Sequence, residues 1–169
     1  DMVDLPDAAN QIIRLEPGSP EGYALRALSS INRNQFDAAE RDVRRAIVVA
    51  PQSAFGYVQL GNLRFAQKQY GDAAKAYQDA LDRNSESTDA LRGLMNLYIT
   101  QNQPDRAIAA ARAQLNKSPA NSSFYDLLGS ALFHAKKDLG GAETAFQKAV
   151  ALDGHNVDAW IQLCQVQAT

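Results

Sequence analysis

A period of about 34 residues runs through this sequence and restricts the folds that it can adopt. Large apolar residues recur at steps of 34, 34, 34 and 35 residues: Tyr23, Tyr57, Leu91, Tyr125 and Trp160. Alanines recur at matching steps of 34, 34 and 35 residues: Ala39, Ala73, Ala107 and Ala142. Together with the step of 68 residues, two periods, from Gly61 to Gly129, both series place one inserted residue between Gly129 and Ala142, and we expect it in the turn at 136–141. A chain with this periodicity is built from repeated supersecondary units, each packed against the next.

The segment 51–85 indicates what one period folds into. Its first half carries apolar residues at helical spacing, including Tyr57, Leu60 and Phe65. Its second half carries a similar stripe with Tyr77 and Leu81, and a short polar turn separates the two halves. Each half is therefore predicted to be an amphipathic helix, and the period a helix–turn–helix hairpin. A single hairpin cannot bury both stripes, so neighbouring hairpins must cover them.

Helices are predicted in every half-period, with starts marked by capping residues and proline. Ser53, Ser87 and Asn121 precede first helices, where their side chains can accept a hydrogen bond from the backbone. Pro104 stands at the start of a second helix, a position that needs no N–H donor. The predicted helices are 5–15, 20–33, 36–49, 54–67, 71–83, 88–101, 104–117, 122–136, 140–152 and 157–168.

The second and fourth periods resemble the tetratricopeptide repeat, which has Leu-Gly after an opening aromatic residue and spaced Ala, aromatic and Ala residues in its second helix. The residues that carry this resemblance are Tyr57, Leu60, Gly61, Ala73, Tyr77 and Ala80, and then Tyr125, Leu128, Gly129, Ala142, Phe146 and Ala149. The resemblance covers nearly the whole chain and looks like a bacterial-type array. It implies an all-α, right-handed superhelical solenoid of antiparallel helix pairs.

One solenoid is expected to span residues 1–169, with four full repeats between two half repeats. Residues 1–19 would supply the second helix of a preceding repeat, and residues 157–169 the first helix of a following one. The full repeats would be 20–53, 54–87, 88–121 and 122–156. We therefore expect this chain to be part of a longer array.

Two close-approach positions depart from the pattern. Met95 stands where the second and fourth repeats have Gly61 and Gly129, and the small Ala111 faces it in the predicted hairpin. The third repeat is therefore expected to be the least regular. Cys164 falls at the same small-residue position, so we expect a buried and unreactive thiol.

Composition argues against several kinds of partner. The net charge is −2, and basic residues alternate with acidic ones, so no nucleic-acid partner is expected. The sequence has no long unbroken apolar run, so no membrane insertion is expected. A single cysteine permits no internal disulfide and leaves the cytoplasm, the periplasm and the cell envelope open as compartments.

Residues for catalysis, metal binding or cofactor binding are not grouped in the sequence. The two histidines, His134 and His155, lie outside any metal or nucleophile motif. The glycine pair at 140–141 lacks the spacing of a phosphate-binding loop. The sequence therefore predicts no enzyme, no metal site and no cofactor.

Ligands of tetratricopeptide proteins lie along the inner face, which is lined mainly by first helices. The resemblance implies a ligand-binding groove formed by Val58, Asn62, Phe65, Arg92, Asn96, Ile99, Asp126, Ser130, Phe133 and His134. Asn62 and Asn96 occupy the same place in adjacent repeats, and a carboxamide can donate to and accept from a peptide backbone. Phe65, Ile99 and Phe133 would form an apolar row for ligand side chains, or would alternatively pack as core.

The carboxylate clamp with which some members of this family hold chaperone tails is incomplete. Arg92 and Asn96 match its first pair, but Leu127, Asp158 and Gln162 stand at the remaining places. The expected function is therefore a non-catalytic protein–protein interaction scaffold that binds another peptide or a partner helix in its concave groove. The alternative is a self-assembly module that oligomerises through exposed terminal helices.

Overall fold

The computed structural model describes residues 5–169 and is all-α, so the predicted fold class is confirmed. These residues form ten α-helices and one π-helical segment and contain no strand, and none of the helices is long and apolar enough to cross a membrane. Residues 1–4 of the predicted segment 1–19 lie outside the described residues. The α-helices are α1 (Leu5–Leu15), α2 (Pro20–Asn32), α3 (Phe36–Val49), α4 (Ala54–Ala66), α5 (Tyr70–Arg83), α6 (Thr88–Thr100), α7 (Pro104–Lys117), α8 (Ser122–Ser130), α9 (Leu139–Leu152) and α10 (Val157–Gln167).

Side-chain caps explain why the first helices begin where the sequence predicts. Ser53 Oγ accepts from the Phe55 N–H at 3.3 Å, and Asn121 Oδ1 accepts from the Phe124 N–H at 3.2 Å. These bonds satisfy donors that have no partner within the helix. Each observed helix boundary lies within one residue of the predicted boundary when α8 is taken together with the π-helical segment that continues it.

The helices form two compact units that divide inside α6, between Gly93 and Leu94. In the first unit, which ends at Gly93, α1 to α5 pack against one another in sequence order, and α2 also packs against α4. In the second unit, Leu94–Thr169, α8 packs against α7 and α9 and also touches α10. Within each unit, hairpins therefore pack in the order in which they follow along the chain.

Within a hairpin, an aromatic side chain of the second helix packs against a glycine of the first helix. Tyr77 on α5 is 2 % exposed, and a Cβ built on Gly61 of α4 would lie 2.5 Å from its ring. In the second unit, Phe146 on α9 is 0 % exposed, and a Cβ on Gly129 of α8 would lie 2.6 Å from its ring. A larger residue could not fit there in a close-packed interior, so these glycines set the distance between the paired helices.

The inserted residue of the fourth repeat lies inside a helix, so the prediction that it lies in the turn at 136–141 is wrong. The backbone from Ala131 to Lys136 is π-helical, and the Asp138 N–H donates to the Leu132 carbonyl, six residues back, at 2.9 Å. At the corresponding place of the second repeat, a bond of 2.8 Å spans five residues, from the Gln69 N–H to the carbonyl of residue 64. One wide helical turn therefore takes up the extra residue.

In all four repeats the second helix begins two residues after the left-handed residue of the turn. Each turn contains one residue with positive φ: Asn34 (57°), Lys68 (61°), Asn102 (57°) and Lys137 (58°). These residues are 34, 34 and 35 positions apart, so the insertion precedes Lys137. A residue in the left-handed conformation ends a helix. It lets the N–H groups that follow the helix donate to the last carbonyl groups of that helix.

Cys164 on α10 is exposed, so the expectation of a buried thiol is wrong. The corresponding residue of the fourth repeat, Gly129, faces Phe146 on the second helix of its own hairpin. Within residues 5–169 no helix follows α10, so no second helix faces Cys164 in this way. The small-residue position is therefore present without the partner that would bury it.

Candidate functional site

The ten groove residues predicted from the family resemblance are divided between the two units. The first-unit residues are Val58, Asn62, Phe65 and Arg92, and the second-unit residues are Asn96, Ile99, Asp126, Ser130, Phe133 and His134. The two groups differ in how available their side chains are to a ligand.

In the second unit, α6, α8 and the π-helical segment border a cavity of about 270 Å³. Four of the predicted residues lie on its wall: Asn96, Ile99, Ser130 and His134. The rest of the wall is apolar and consists of Met95, Leu127, Ala131 and Ala135. A cavity of this size is smaller than a usual small-molecule site and suits a single side chain of a peptide.

Three polar side chains stand beside this apolar wall. Asn96 is exposed on α6, and its carboxamide can both donate and accept hydrogen bonds. Ser130 and His134, one helical turn apart, add a hydroxyl and an imidazole. Across residues 5–169, no three His, Cys, Asp or Glu side chains are grouped so as to hold a metal ion. The cavity therefore combines an apolar surface with flanking hydrogen-bonding groups.

The π-helical segment determines which side chain stands next to Ile99. Phe133 follows Gly129 by four residues, as Ile99 follows Met95. His134 precedes the turn residue Lys137 by three residues, as Ile99 precedes the turn residue Asn102. His134 lines the cavity, whereas Phe133 is half-buried with its ring 4.7 Å from the His134 ring. In this cavity the predicted apolar row therefore continues from Ile99 to a histidine, and Phe133 is not part of the wall.

Two residues of the cavity wall are not among the predicted groove residues. Met95 and Leu127 both line the cavity, although the family pattern assigns neither to the groove. Met95 lies one turn before Ile99 on the same helix face, so helical spacing from the predicted residues was the available signal. Asp126, which was predicted, is half-buried and does not line the cavity.

In the first unit, the Asn62 carboxamide is engaged inside the protein. Its Oδ1 accepts from the Tyr77 hydroxyl at 2.8 Å, and its Nδ2 donates to Gln59 Oε1 at 2.9 Å. Burial raises the pKa of the Tyr77 phenol, so its hydroxyl stays protonated and keeps donating. Asn62 therefore holds the aromatic residue that closes its hairpin, while Asn96, at the same place in the next repeat, is exposed.

The other first-unit residues are mixed in character. Val58 is 6 % exposed and lines a cavity of about 250 Å³ near the starts of α4 and α6, together with the exposed Phe55. Phe65 is half-buried, with its ring 5.7 Å from the Tyr70 ring. Arg92 is exposed on α6. In this unit, therefore, Val58 and Phe65 contribute to packing, and only Arg92 is fully available at the surface.

Comparison with known proteins gives a family match within the chain. A family model for the tetratricopeptide repeat matches residues 64–131. Small glutamine-rich tetratricopeptide repeat-containing protein 2 of Mycosarcoma maydis is 26% identical over 117 residues, which cover 69% of this chain and 29% of that protein. The chain spans less than a third of the length of the curated relatives that it matches. Because these relatives include fungal proteins, the bacterial assignment stays a prediction.

Solved structures match over nearly the whole chain. A thermophilic tetratricopeptide repeat protein of Thermus thermophilus superposes with a TM-score of 0.74 at 14% identity, covering 97% of this chain and 89% of that one. YrrB, a tetratricopeptide repeat protein with an unusual peptide-binding site, superposes with a TM-score of 0.55 at 18% identity, covering 96% and 84%. Identities this low show a shared fold alone. Together with the family model that matches residues 64–131 and the hairpins of each unit, this shared fold supports a tetratricopeptide repeat protein.

Proposed function

We propose that this chain is a non-catalytic protein-interaction scaffold that binds a peptide or a partner helix on the face formed by its first helices. The observation that carries the proposal is the cavity of about 270 Å³ in the second unit, where Asn96, Ser130 and His134 surround an apolar wall. The chemistry of this cavity matches that of a peptide, which offers apolar side chains beside backbone donors and acceptors.

The cavity would take one large apolar side chain of the ligand against Met95, Ile99 and Leu127. The Asn96 carboxamide, exposed at the edge, would bond to the adjacent peptide group of the ligand. Because these side chains are carried on helices, little conformational freedom is lost on the protein's side when the ligand binds. YrrB, which shares the fold, is described as having a peptide-binding site, and this supports the same class of ligand here.

Screening a peptide library against the chain tests this function, followed by affinity measurements on the best binder. Asn96→Ala and Ile99→Asp are each expected to weaken binding about tenfold or more, because one removes a hydrogen bond and the other puts a charge against an apolar ligand group. Asn116→Ala, an exposed change on the second helix α7, is the matched control and should leave the affinity unchanged. Equal affinity of the wild-type chain and both cavity variants would refute the proposed site.

The second candidate function is self-assembly, and an exposed apolar stripe on α10 favours it. Val157, Trp160 and Ile161 are 64%, 47% and 51% exposed and lie at helical spacing on one face. The Trp160 indole N–H donates to the Gly154 carbonyl at 3.1 Å, which holds the ring at the surface. An apolar stripe of this kind is typical of a protein-interaction surface, and a second copy of the chain could cover it.

Light scattering over a concentration series tests self-assembly. If α10 mediates it, the wild-type chain should form dimers as concentration rises, and Trp160→Glu should remain monomeric because the charge would be desolvated in the interface. Leu139→Glu, which alters an exposed leucine at the start of α9, serves as the control and should still dimerise. A wild-type chain that stays monomeric at the highest concentration would exclude this candidate.

A further inference from the structure

A second and larger opening lies between the second helices α7 and α9 of the second unit. Its volume is about 710 Å³, and Tyr125, Leu128 and Leu132 of α8 and the π-helical segment form its apolar floor. Arg112 and Lys148, both exposed, stand on its two walls. No acidic side chain lines this groove in the described part of the chain. It is distinct from the cavity of the proposed function, which α6 borders.

The first repeat shows how the corresponding groove is closed within the same protein. Arg26 on α2 extends between α1 and α3, where Nη2 lies 2.7 Å from Asp42 Oδ1 and Nη1 donates to Asn10 Oδ1 at 2.9 Å. The guanidinium groups of Arg26 and Arg45 lie 5.9 and 5.8 Å from the centre of the Tyr23 ring. These side chains occupy the space between the two second helices.

The fourth repeat has different residues at the places of Arg26 and Asp42, while Tyr125 and Lys148 stand at the places of Tyr23 and Arg45. Leu128 stands three periods after Arg26, and Ala145 stands three periods and the one inserted residue after Asp42. A leucine side chain cannot bridge to both neighbouring helices, so the groove above it stays open. Arg112 on α7 stands three periods after Asn10 on α1. The central cation of the first repeat, Arg26, thus has no counterpart here, whereas Lys148 keeps the cation of Arg45 on one wall and Arg112 adds a cation on the other.

We propose that this groove binds an amphipathic helix of a partner protein that carries glutamate or aspartate residues beside its apolar face. Leu128, Leu132 and Tyr125 would receive the apolar side chains of that helix, and Arg112 and Lys148 would pair with its carboxylates. Within residues 5–169, neither of these two cations forms an ion pair, so both are available to a ligand. The partner is therefore specified by charge as well as by shape.

The dimensions of the groove suit a helix of about three turns. Its α9 wall runs from Gly140 to Ala151, a length of about 16 Å at the helical rise per residue. Thr144 and Ala145 lie on this wall and are small enough for a helix to approach closely. The groove is open along its length, which fits a helix better than a lipid chain that requires enclosure. An interface this short gives weak and reversible binding.

Two labelled helical peptides of about three turns test the charge preference. Both carry leucines on one face, and they differ only in the flanking residues, which are glutamates in one peptide and lysines in the other. Fluorescence anisotropy at about 0.15 M salt should show the glutamate peptide binding at least about tenfold more tightly. Equal affinities, or no binding of the glutamate peptide up to about 1 mM, would overturn the proposal.

Two double variants locate the binding. Arg112→Glu with Lys148→Glu changes exposed residues only and should reverse the preference, so that the lysine peptide binds better. Leu128→Arg with Ala145→Asp installs the closing pair of the first repeat and should abolish binding, with circular dichroism confirming that the helices remain. Should that variant fail to fold, the charge reversal still decides the question. Unchanged binding in the charge-reversed variant would refute the assignment of the groove.

Asn96→Ala is the control that separates this groove from the cavity of the proposed function. It should leave binding of the glutamate peptide unchanged, because Asn96 does not line the groove. Loss of binding in Asn96→Ala would assign the peptide to the other cavity and would overturn this proposal while leaving the proposed function intact. Sodium oleate supplies a further arm, since binding of oleate with no binding of either peptide would identify a lipid site and exclude the helix.

Discussion

Replacing Phe146 by alanine is expected to lower the free energy of unfolding by about 3–5 kcal/mol. The ring is 0 % exposed and lies against Gly129, so its removal leaves a cavity that the two helices cannot close. Urea unfolding followed by circular dichroism measures the change, and hydrogen exchange of the α8 and α9 amides shows whether the loss is local. Phe55→Ala is the matched control, because Phe55 is 49% exposed and should change stability by less than about 0.5 kcal/mol.

A second substitution should recover part of the stability lost in Phe146→Ala. The third repeat has Met95 and Ala111 at the places of Gly129 and Phe146, and both are buried. Adding Gly129→Met to Phe146→Ala therefore supplies the packing pair of the third repeat, and roughly 1–2 kcal/mol should return. If the double variant is no more stable than Phe146→Ala alone, the repeats do not share one packing scheme.

Replacing Arg26 by leucine is the second change with a large expected effect. Asp42 is only 8 % exposed and would lose the guanidinium that lies 2.7 Å from its carboxylate. The hydrogen bond to Asp42 raises the pKa of the Arg26 guanidinium above its already high usual value, so the group stays charged. Leaving the carboxylate without this partner is expected to lower the free energy of unfolding by about 1–3 kcal/mol in urea unfolding.

The double variant Arg26→Leu with Asp42→Ala should instead be within about 1 kcal/mol of the wild type. Leucine and alanine occupy the same two places in the fourth repeat, as Leu128 and Ala145, so this pair already packs between such helices. A double variant as unstable as Arg26→Leu alone would show that lost packing, and not an unpaired carboxylate, accounts for the loss.

The helices could be predicted from the sequence because their signals are local. Ser53 and Asn121 accept the capping hydrogen bonds expected of them, and the repeat gives each boundary several independent markers. The close-approach positions Gly61 and Gly129 could be predicted because the repeat pattern has a small residue there, and in the structure each lies against an aromatic ring. These features depend on neighbours that the 34-residue period already identifies.

The location of the inserted residue could not be predicted in the same way. The repeat markers bracket it only between Gly129 and Ala142, and a turn usually accepts an insertion more easily than a helix does. The decisive marker is the left-handed residue, which is asparagine in two repeats and lysine in the other two, Lys68 and Lys137. Without that marker, the spacing from Gly129 predicts Phe133 at the place that His134 occupies in the cavity wall.

The contacts that individual side chains make also could not be predicted from the sequence. Asn62 and Asn96 occupy the same place in their repeats, but Tyr77 engages only Asn62, whereas the third repeat has Ala111 at the place of Tyr77. Cys164 matches a buried position, yet its exposure depends on whether a second helix follows. The different environments of Asn62, Asn96 and Cys164 arise from the facing residue on the second helix of the hairpin. The repeat spacing identifies that residue, but only the structure shows which contacts it makes.

A nuclear magnetic resonance titration with the best-binding library peptide tests the central claim most directly. The proposed function predicts that the perturbed amides cluster at residues 95–99 and 127–135, around the cavity of the second unit. Perturbations that leave these residues unchanged and appear elsewhere, or the absence of any peptide that binds, would contradict it.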